Sequence, residues 1–166
     1  VIWIECTGRK ITLAGSPVLL LSVHDITHRK NAEAALLESE QKMSTIFRSS
    51  PVALSVVSAT DGVFVDVNDT FVRLTGYSRS EVIGATADSL RLFPDAALYD
   101  RMIYELRSNR AVYGMEMPCR NASGEVSICR FSSGTILMGN KPHIISTIED
   151  ITESRNLQSA FEAIIQ

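Results

Sequence analysis

Apolar and polar residues change period several times along this chain, and each change marks an element. Residues 1–6 are rich in β-branched and aromatic residues, and Thr7-Gly8-Arg9 reads as a turn. Lys10 to Leu13 reads as a strand, Ala14-Gly15-Ser16-Pro17 as a loop, and Val18 to Asp25 as a second strand. Gly and Pro then disappear from 28 to 48, where Ala34, Ala35, Leu36, Glu38, Gln41 and Lys42 favour helix by propensity. Thr27 is placed to cap that helix and Ser49-Ser50-Pro51 to end it. Leu36, Met43 and Ser50 lie seven apart, as do Ala32, Ser39 and Ile46, a thin heptad seam that suits weak or switchable pairing.

Val52 to Val57 reads as a strand, Thr60-Asp61-Gly62 as a turn, and Val63 to Val67 as a strand with Val63, Val65 and Val67 on one face. Asn68 is an N-cap for a helix over 69–75 that Gly76 stops, and Ser78-Arg79-Ser80-Glu81 is a capping box opening another that Gly84 closes. Thr86 to Leu92 reads as a short helical turn, and 95–109 as a longer helix with Leu98, Met102, Ile103 and Leu106 on one stripe. Three strands follow. Tyr113, Met115, Met117 and Cys119 alternate in the first, the second runs from Val126 to about Ile136, and the third from His143 to Asp150. Thr152 then starts a helix with Leu157, Phe161, Ile164 and Ile165 on its apolar side. Two strands, several short helices and three strands predict an α+β antiparallel sheet with helices on one face.

A short stretch occurs twice. Leu21-Ser22-Val23-His24-Asp25-Ile26-Thr27 returns as Ser146-Thr147-Ile148-Glu149-Asp150-Ile151-Thr152, with the two aspartates 125 positions apart. Pro17 and Pro142, Ile11 and Ile136, Asn31 and Asn156, and Ala35 and Ala160 keep that offset. A fixed offset without drift marks two copies of one folding unit. The expected division is therefore the C-terminal strands of a truncated upstream domain over 1–27, a connector helix over 28–46, a complete domain over 47–151 and a C-terminal helix over 152–166.

Composition narrows the function. The chain has 166 residues, 45% hydrophobic and 21% charged, with net charge −3 and no basic cluster, which excludes nucleic-acid binding as its main task. The longest apolar run is far short of a membrane span, and the N-terminal residues lack a signal-peptide pattern. Three cysteines without tight spacing indicate reduced thiols and a cytoplasmic location, while a membrane anchor elsewhere in the parent protein stays open.

Phe47-Arg48-Ser49-Ser50-Pro51, Val67-Asn68-Asp69-Thr70-Phe71, Thr75-Gly76-Tyr77-Ser78 through Gly84, Asn121-Ala122-Ser123-Gly124 and Glu149-Asp150-Ile151-Thr152 together resemble a PAS sensory domain with its C-terminal PAC motif, over about 44–152. Residues 1–27 resemble the last strands of a second such domain. The resemblance implies a five-stranded antiparallel sheet with helices on one side enclosing a small cavity. It implies sensing or relay in a bacterial-type signalling protein, ahead of a histidine kinase (a two-component system) or a cyclic-di-nucleotide enzyme such as a diguanylate cyclase. Asp25, Thr27, Asp150 and Thr152 stand where the last strand becomes a helix, and a cap worth about 1 kcal/mol is small enough to be remade when the sheet shifts. A plain structural cap is the other reading of the same residues.

Flavin photosensors of that family carry a reactive cysteine shortly after the glycine matching Gly84, where this chain has Ala85-Thr86-Ala87-Asp88. Their two flavin-facing asparagines match Cys119 and Cys129, which are poor amide substitutes. Haem-binding relatives use a histidine on the long helix, and 95–109 has none. These departures argue against flavin and haem and leave the cofactor unknown. The expected cavity lining is Val56, Val65, Leu74, Leu90, Met102, Met115, Met117, Cys119, Cys129 and Phe131, read either as a pocket for a small apolar molecule or as a filled core. Arg130 is expected on the opposite sheet face, and no metal site is expected.

No catalytic constellation competes: Ser49, Ser55 and Ser58 lack a His-Asp partner, and Asp66 and Glu116, the available bases, fall on outward positions. Residues 1–26 cannot form a domain alone and would expose Trp3, Leu19, Leu20 and Leu21. They are expected to pack on the outer face of the complete domain's sheet or on a second chain. A homodimer through this hairpin and the connector helix is the expected partner arrangement, with a downstream output domain in the parent. The alternative function is a ligand-free dimerisation and signal-transmission module.

Overall fold

The computed structural model describes residues 1–109 and 111–165. They divide into two compact units, Val1–Thr45 and Ile46–Gln166.

The first unit holds strands β1 (Ile4–Leu13) and β2 (Ser16–Asp25) and most of helix α1 (Thr27–Ser49). β1 and β2 form an isolated antiparallel pair joined through Ala14 and Gly15, both at positive φ (50° and 84°), the backbone a tight hairpin requires. Thr7-Gly8-Arg9 is not a turn: Gly8 pairs with Leu21 inside an unbroken ladder from Ile4↔Asp25 to Leu13↔Ser16. The ten-residue partner strand offers pairing through the whole segment, and that overrides the local turn signal. Trp3, Leu19, Leu20 and Leu21 are all at least half exposed.

The second unit is built on five strands, β3 (Ala53–Ser58), β4 (Phe64–Val67), β5 (Ala111–Arg120), β6 (Val126–Met138) and β7 (Lys141–Asp150), in spatial order β4-β3-β7-β6-β5 with every neighbour antiparallel. Helices α2 (Asp69–Thr75), α3 (Arg79–Val82) and α4 (Ala96–Asn109) lie between β4 and β5 in sequence, and α5 (Thr152–Ile165) follows β7. This is the expected α+β architecture. Phe71, Val82, Leu92, Met102 and Leu106 from the helical segment bury against Val67, Met117, Cys129 and Phe131 from the strands. Thr86 to Leu92 forms turns rather than a helix, tied by the Leu90 amide to Thr86 O at 3.2 Å and by an isolated bridge between Val63 and Thr86.

Asn68 shows how sequence positions these elements. Its wholly buried amide accepts hydrogen bonds from the Phe71 and Leu54 amides (2.9 Å each) and donates to Val52 O (2.8 Å), so one side chain caps α2 and fixes it to β3. Gly76 ends α2 at φ 72°, where its amide reaches Val72 O at 2.9 Å. Ser78 and Glu81 close the expected capping box on α3, the Ser78 amide donating to Glu81 Oε2 at 2.8 Å.

Two bulges overturn simple alternation. On β4, Val56↔Asp66 is followed by Val57↔Phe64, so Val65 is the extra residue; Phe64 and Val67 bury while Val65 is 41% exposed. On β5, Val112↔Ser133 is followed by Met115↔Phe131, with Gly114 at φ 63° between them. Val112 therefore faces the core, and Tyr113, expected in line with Met115, is 84% exposed.

Candidate functional site

Two regions of the second unit carry the expected chemistry: a void inside the core and the strand-to-helix joint at α5.

The void offers about 50 Å³ to the centre of a water-sized molecule. Of the expected lining residues, Met102, Cys119 and Phe131 do line it. Met117 and Cys129 are fully buried in the surrounding core, and Leu74, Leu90 and Met115 pack half-buried against that core. Val56 and Val65 do not belong to it. Val56 is buried but pairs in register with Asp66 and Ile145, while Ser55 and Val57 on either side of it line the void; the strand's two-residue period puts Val56 on the other face. Val65 is turned out by the β4 bulge.

Sequence reading missed the polar floor. Ser55 pairs with Ser146 between β3 and β7, and Ser146 pairs with Ser133 between β7 and β6, so three buried serines form one row across three adjacent strands. The Ser133 and Ser146 hydroxyls are hydrogen-bonded at 2.7 Å. Ser55 is 3% exposed and lines the void, and its hydroxyl forms no hydrogen bond within the described residues. Thr75, also in the lining, spends its hydroxyl on Phe71 O at 2.9 Å. The available signal was a serine flanked by apolar or β-branched neighbours on two strands, at Leu54-Ser55-Val56 and Ile145-Ser146-Thr147; Ser133, between Ser132 and Gly134, carries no such signal. The rest of the lining is apolar and aromatic, including Phe71, Leu92, Phe93, Ile103 and Leu106. Phe93 stacks on Tyr99 at 4.7 Å between centroids and meets Phe131 edge-on at 5.4 Å. Burial pushes the Tyr99 phenol above its ordinary value, and the hydrogen bond with Cys129 together with burial pushes the Cys119 thiol far up, so both stay neutral.

At the joint, the Thr152 amide donates to Asp150 Oδ1 at 2.9 Å. Thr152 Oγ1 does not accept from a helix amide as expected; it accepts from the Ile128 amide of β6, at 2.9 Å. The Ile151 amide donates to Ile128 O at 2.9 Å, and the Arg155 amide to Ile151 O at 2.8 Å. Asp25 and Thr27 make the same set in the first unit. The Thr27 amide donates to Asp25 Oδ1, the Trp3 amide to Thr27 Oγ1 and the Ile26 amide to Trp3 O, each at 2.9 Å.

Outside the joint, Arg155 of α5 donates from Nε to Glu116 Oε2 of β5 at 2.9 Å, and its Nη2 adds a second contact to the same oxygen. Arg130 is exposed, as expected, and bridges Glu116 (3.2 Å) and Glu149 (3.5 Å). The hydrogen bond from Arg155, reinforced by Arg130, holds the Glu116 carboxyl below its ordinary value. Asp66 is paired to Arg79 at 2.6 Å and Arg48 at 3.8 Å. Both acids thus serve as ion-pair acceptors.

Among the described residues no group of His, Cys, Asp and Glu is arranged to hold a metal, and no helix is long and apolar enough to cross a membrane. A void of this size does not admit a flavin ring system or a haem without rearrangement.

Residues 51–153 match a family described as PAS domain. The fold is similar to the PAS domain of an HTR-like protein from Haloarcula marismortui (22% identity, 74% of this chain and 99% of that one, TM-score 0.61). A PAS domain from a two-component sensor histidine kinase is similar at 20% identity, over 68% of this chain and 97% of that one, with TM-score 0.59. An RNA-binding Light-Oxygen-Voltage receptor is similar at 25% identity, over 80% of this chain and 39% of that one, with TM-score 0.64.

Proposed function

The chain belongs to the PAS domain family, and from that premise we propose that it works as a sensory relay in which occupancy of the core void is transmitted along the sheet to α5 and on to an output domain. PAS domains are generally sensory rather than catalytic, and the sensory role here is that of the family. The finer reading rests on one observation: the first turn of α5 is fastened to two different strands, to β6 through Thr152 and to β5 through Arg155. A helix held by both strands is displaced when they move relative to each other, and each fastening is weak enough to be remade. The output domain in this reading is a histidine kinase or a cyclic-di-nucleotide enzyme, and the setting is cytoplasmic.

Residues 1–27 are then the closing strands of an upstream domain of the same kind, followed by a connector over 28–46, the complete domain over 47–151 and the relay helix over 152–166. The exposed apolar residues of the hairpin and of α1, among them Leu19, Leu21, Leu36 and Met43, support a homodimer through those elements.

Asp150→Ala in the intact signalling protein tests the relay. Loss or inversion of the output response, with the fold retained, is expected. A lowered melting temperature with an unchanged response would mean that Asp150 is only a cap. The small size of the void favours one second reading, a ligand-free dimerisation and transmission module.

A further inference from the structure

The core void of the second unit is uneven in its chemistry. Ser55 and Ser146 of the serine row line one side, and apart from Thr75 and Cys119 the rest is mainly aromatic and aliphatic. Ser133 and Ser146 satisfy each other, whereas the buried Ser55 hydroxyl keeps a donor and its acceptor lone pairs free on the void's surface. The hydroxyl is reachable from the void, so an occupant there can complete its hydrogen bonding. Among the described residues no Asp, Glu, Lys, Arg or His lines the void, and the Tyr99 and Cys119 groups in that lining are held neutral. An ion entering it would lose its hydration and meet no counter-charge. The size sets the third limit. About 50 Å³ is a third of the about 150 Å³ of an apolar cavity that holds benzene, so the occupant is small.

Resting on the reading that the void is the sensory site, we propose that it takes a small neutral molecule with one hydroxyl or carbonyl group, bound to Ser55 on the sheet and sheathed by Phe71, Leu92 and Phe131. The hydroxyl row faces the polar group, and the aromatic walls accept the short carbon chain. A ligand of about four non-hydrogen atoms, such as propan-1-ol, reaches an affinity of about tens of micromolar at the tightest.

A wider open groove beside the β3–β4 turn and α4 shares Val57, Gly62, Tyr99 and Ile103 with the void's lining, so these residues stand between the void and the open groove.

Amide NMR of the 166-residue chain at neutral pH tests this with three probes: propan-1-ol, the propionate anion and dissolved xenon. Propan-1-ol is expected to shift the Ser55, Ser146 and Leu92 amides saturably. Propionate should leave them in place, and xenon should reach the same residues. Ser55→Ala should weaken propan-1-ol about fivefold to tenfold, as loss of one hydrogen bond does, and leave xenon binding unchanged. Propionate binding as tightly as propan-1-ol, or propan-1-ol indifferent to Ser55→Ala, would overturn the ligand class while leaving an accessible void. If xenon and propan-1-ol both fail to reach these amides, the sensory reading of the void falls as well. The comparison of propan-1-ol with propionate on the unaltered chain decides the class even if the variant does not fold.

Discussion

The two strand-to-helix joints of this chain are the same object in different surroundings. The β1–β2 ladder from Ile4↔Asp25 to Leu13↔Ser16 becomes the β6–β7 ladder from Cys129↔Asp150 to Met138↔Lys141 when 125 is added to every number. Both hairpins turn on two residues at positive φ, Ala14-Gly15 and Gly139-Asn140. Both joints form the same hydrogen bonds to the same atoms, within 0.2 Å. Burial differs completely. Cys6, Leu21 and Val23 are exposed, while their counterparts Phe131, Ser146 and Ile148 are buried between neighbouring strands and the helices. The comparison separates two levels of cause. Local sequence dictates the hairpin, its register and the Asp-Ile-Thr cap. The rest of the sheet dictates how much stability hangs on them.

The largest expected effect follows from burial. Phe131→Ala removes a ring that packs edge-on against Phe93, and should cost about 3–5 kcal/mol of unfolding free energy. Cys6→Ala, at the matching rung of β1, should change stability by less than about 0.5 kcal/mol, since Cys6 is exposed. Guanidinium titrations of both variants check this. A loss above about 2 kcal/mol from Cys6→Ala would show that the hairpin is packed in solution, as a dimer through it requires.

The same two levels explain what sequence made legible. Elements whose signals are local were readable to within a residue or two: the Asn68 cap, the Gly76 stop, the Ser78–Glu81 box and the helix at 96–109. The repeated joint was readable because its atoms lie on one hairpin. Features set by neighbouring strands were not. A bulge depends on which residue of the partner strand is opposite, so Val65 and Tyr113 were placed on the wrong face. The serine row needs the order β3-β7-β6 and two registers at once, and neither is written in any one segment. The cavity was therefore predicted from aliphatic and sulfur-bearing residues with Phe131, while its polar floor stayed hidden.

A smaller effect separates the two threonines. Thr152→Ala leaves the partly buried Ile128 amide without its acceptor and should cost about 1 kcal/mol. Thr27→Ala frees the exposed Trp3 amide to water, and should cost less than about 0.5 kcal/mol. Amide exchange should report faster exchange at Ile128 in the first variant, with little change at Trp3 in the second. Equal costs would mean that the surroundings do not weight the joint.

The smallest effect concerns the one tie that the first joint lacks. Position 155 in the second copy is Arg, which reaches β5 through Glu116; its counterpart Lys30 pairs within its own helix with Glu33, at 3.0 Å. Glu116 is held below its ordinary value of 4.5, so its ionised form favours the folded arrangement. That contribution is complete above about pH 4.5, and it fades as pH falls through the lowered folded value. Amides in the first turn of α5 should therefore lose protection relative to the intrinsic exchange rate at each pH, in acid and also at 1 M salt, where the Debye length is about 3 Å. The first turn of α1 has an acid step of its own, because the hydrogen bonds with Thr27 hold Asp25 below its ordinary value, and Glu116→Gln should leave that step unchanged. Glu116→Gln should abolish the acid step in α5 while leaving its cap at Asp150 intact. If α5 and α1 loosen together on acidification in both proteins, the Arg155–Glu116 tie does not distinguish the joints. The helix would then be held by the local cap alone.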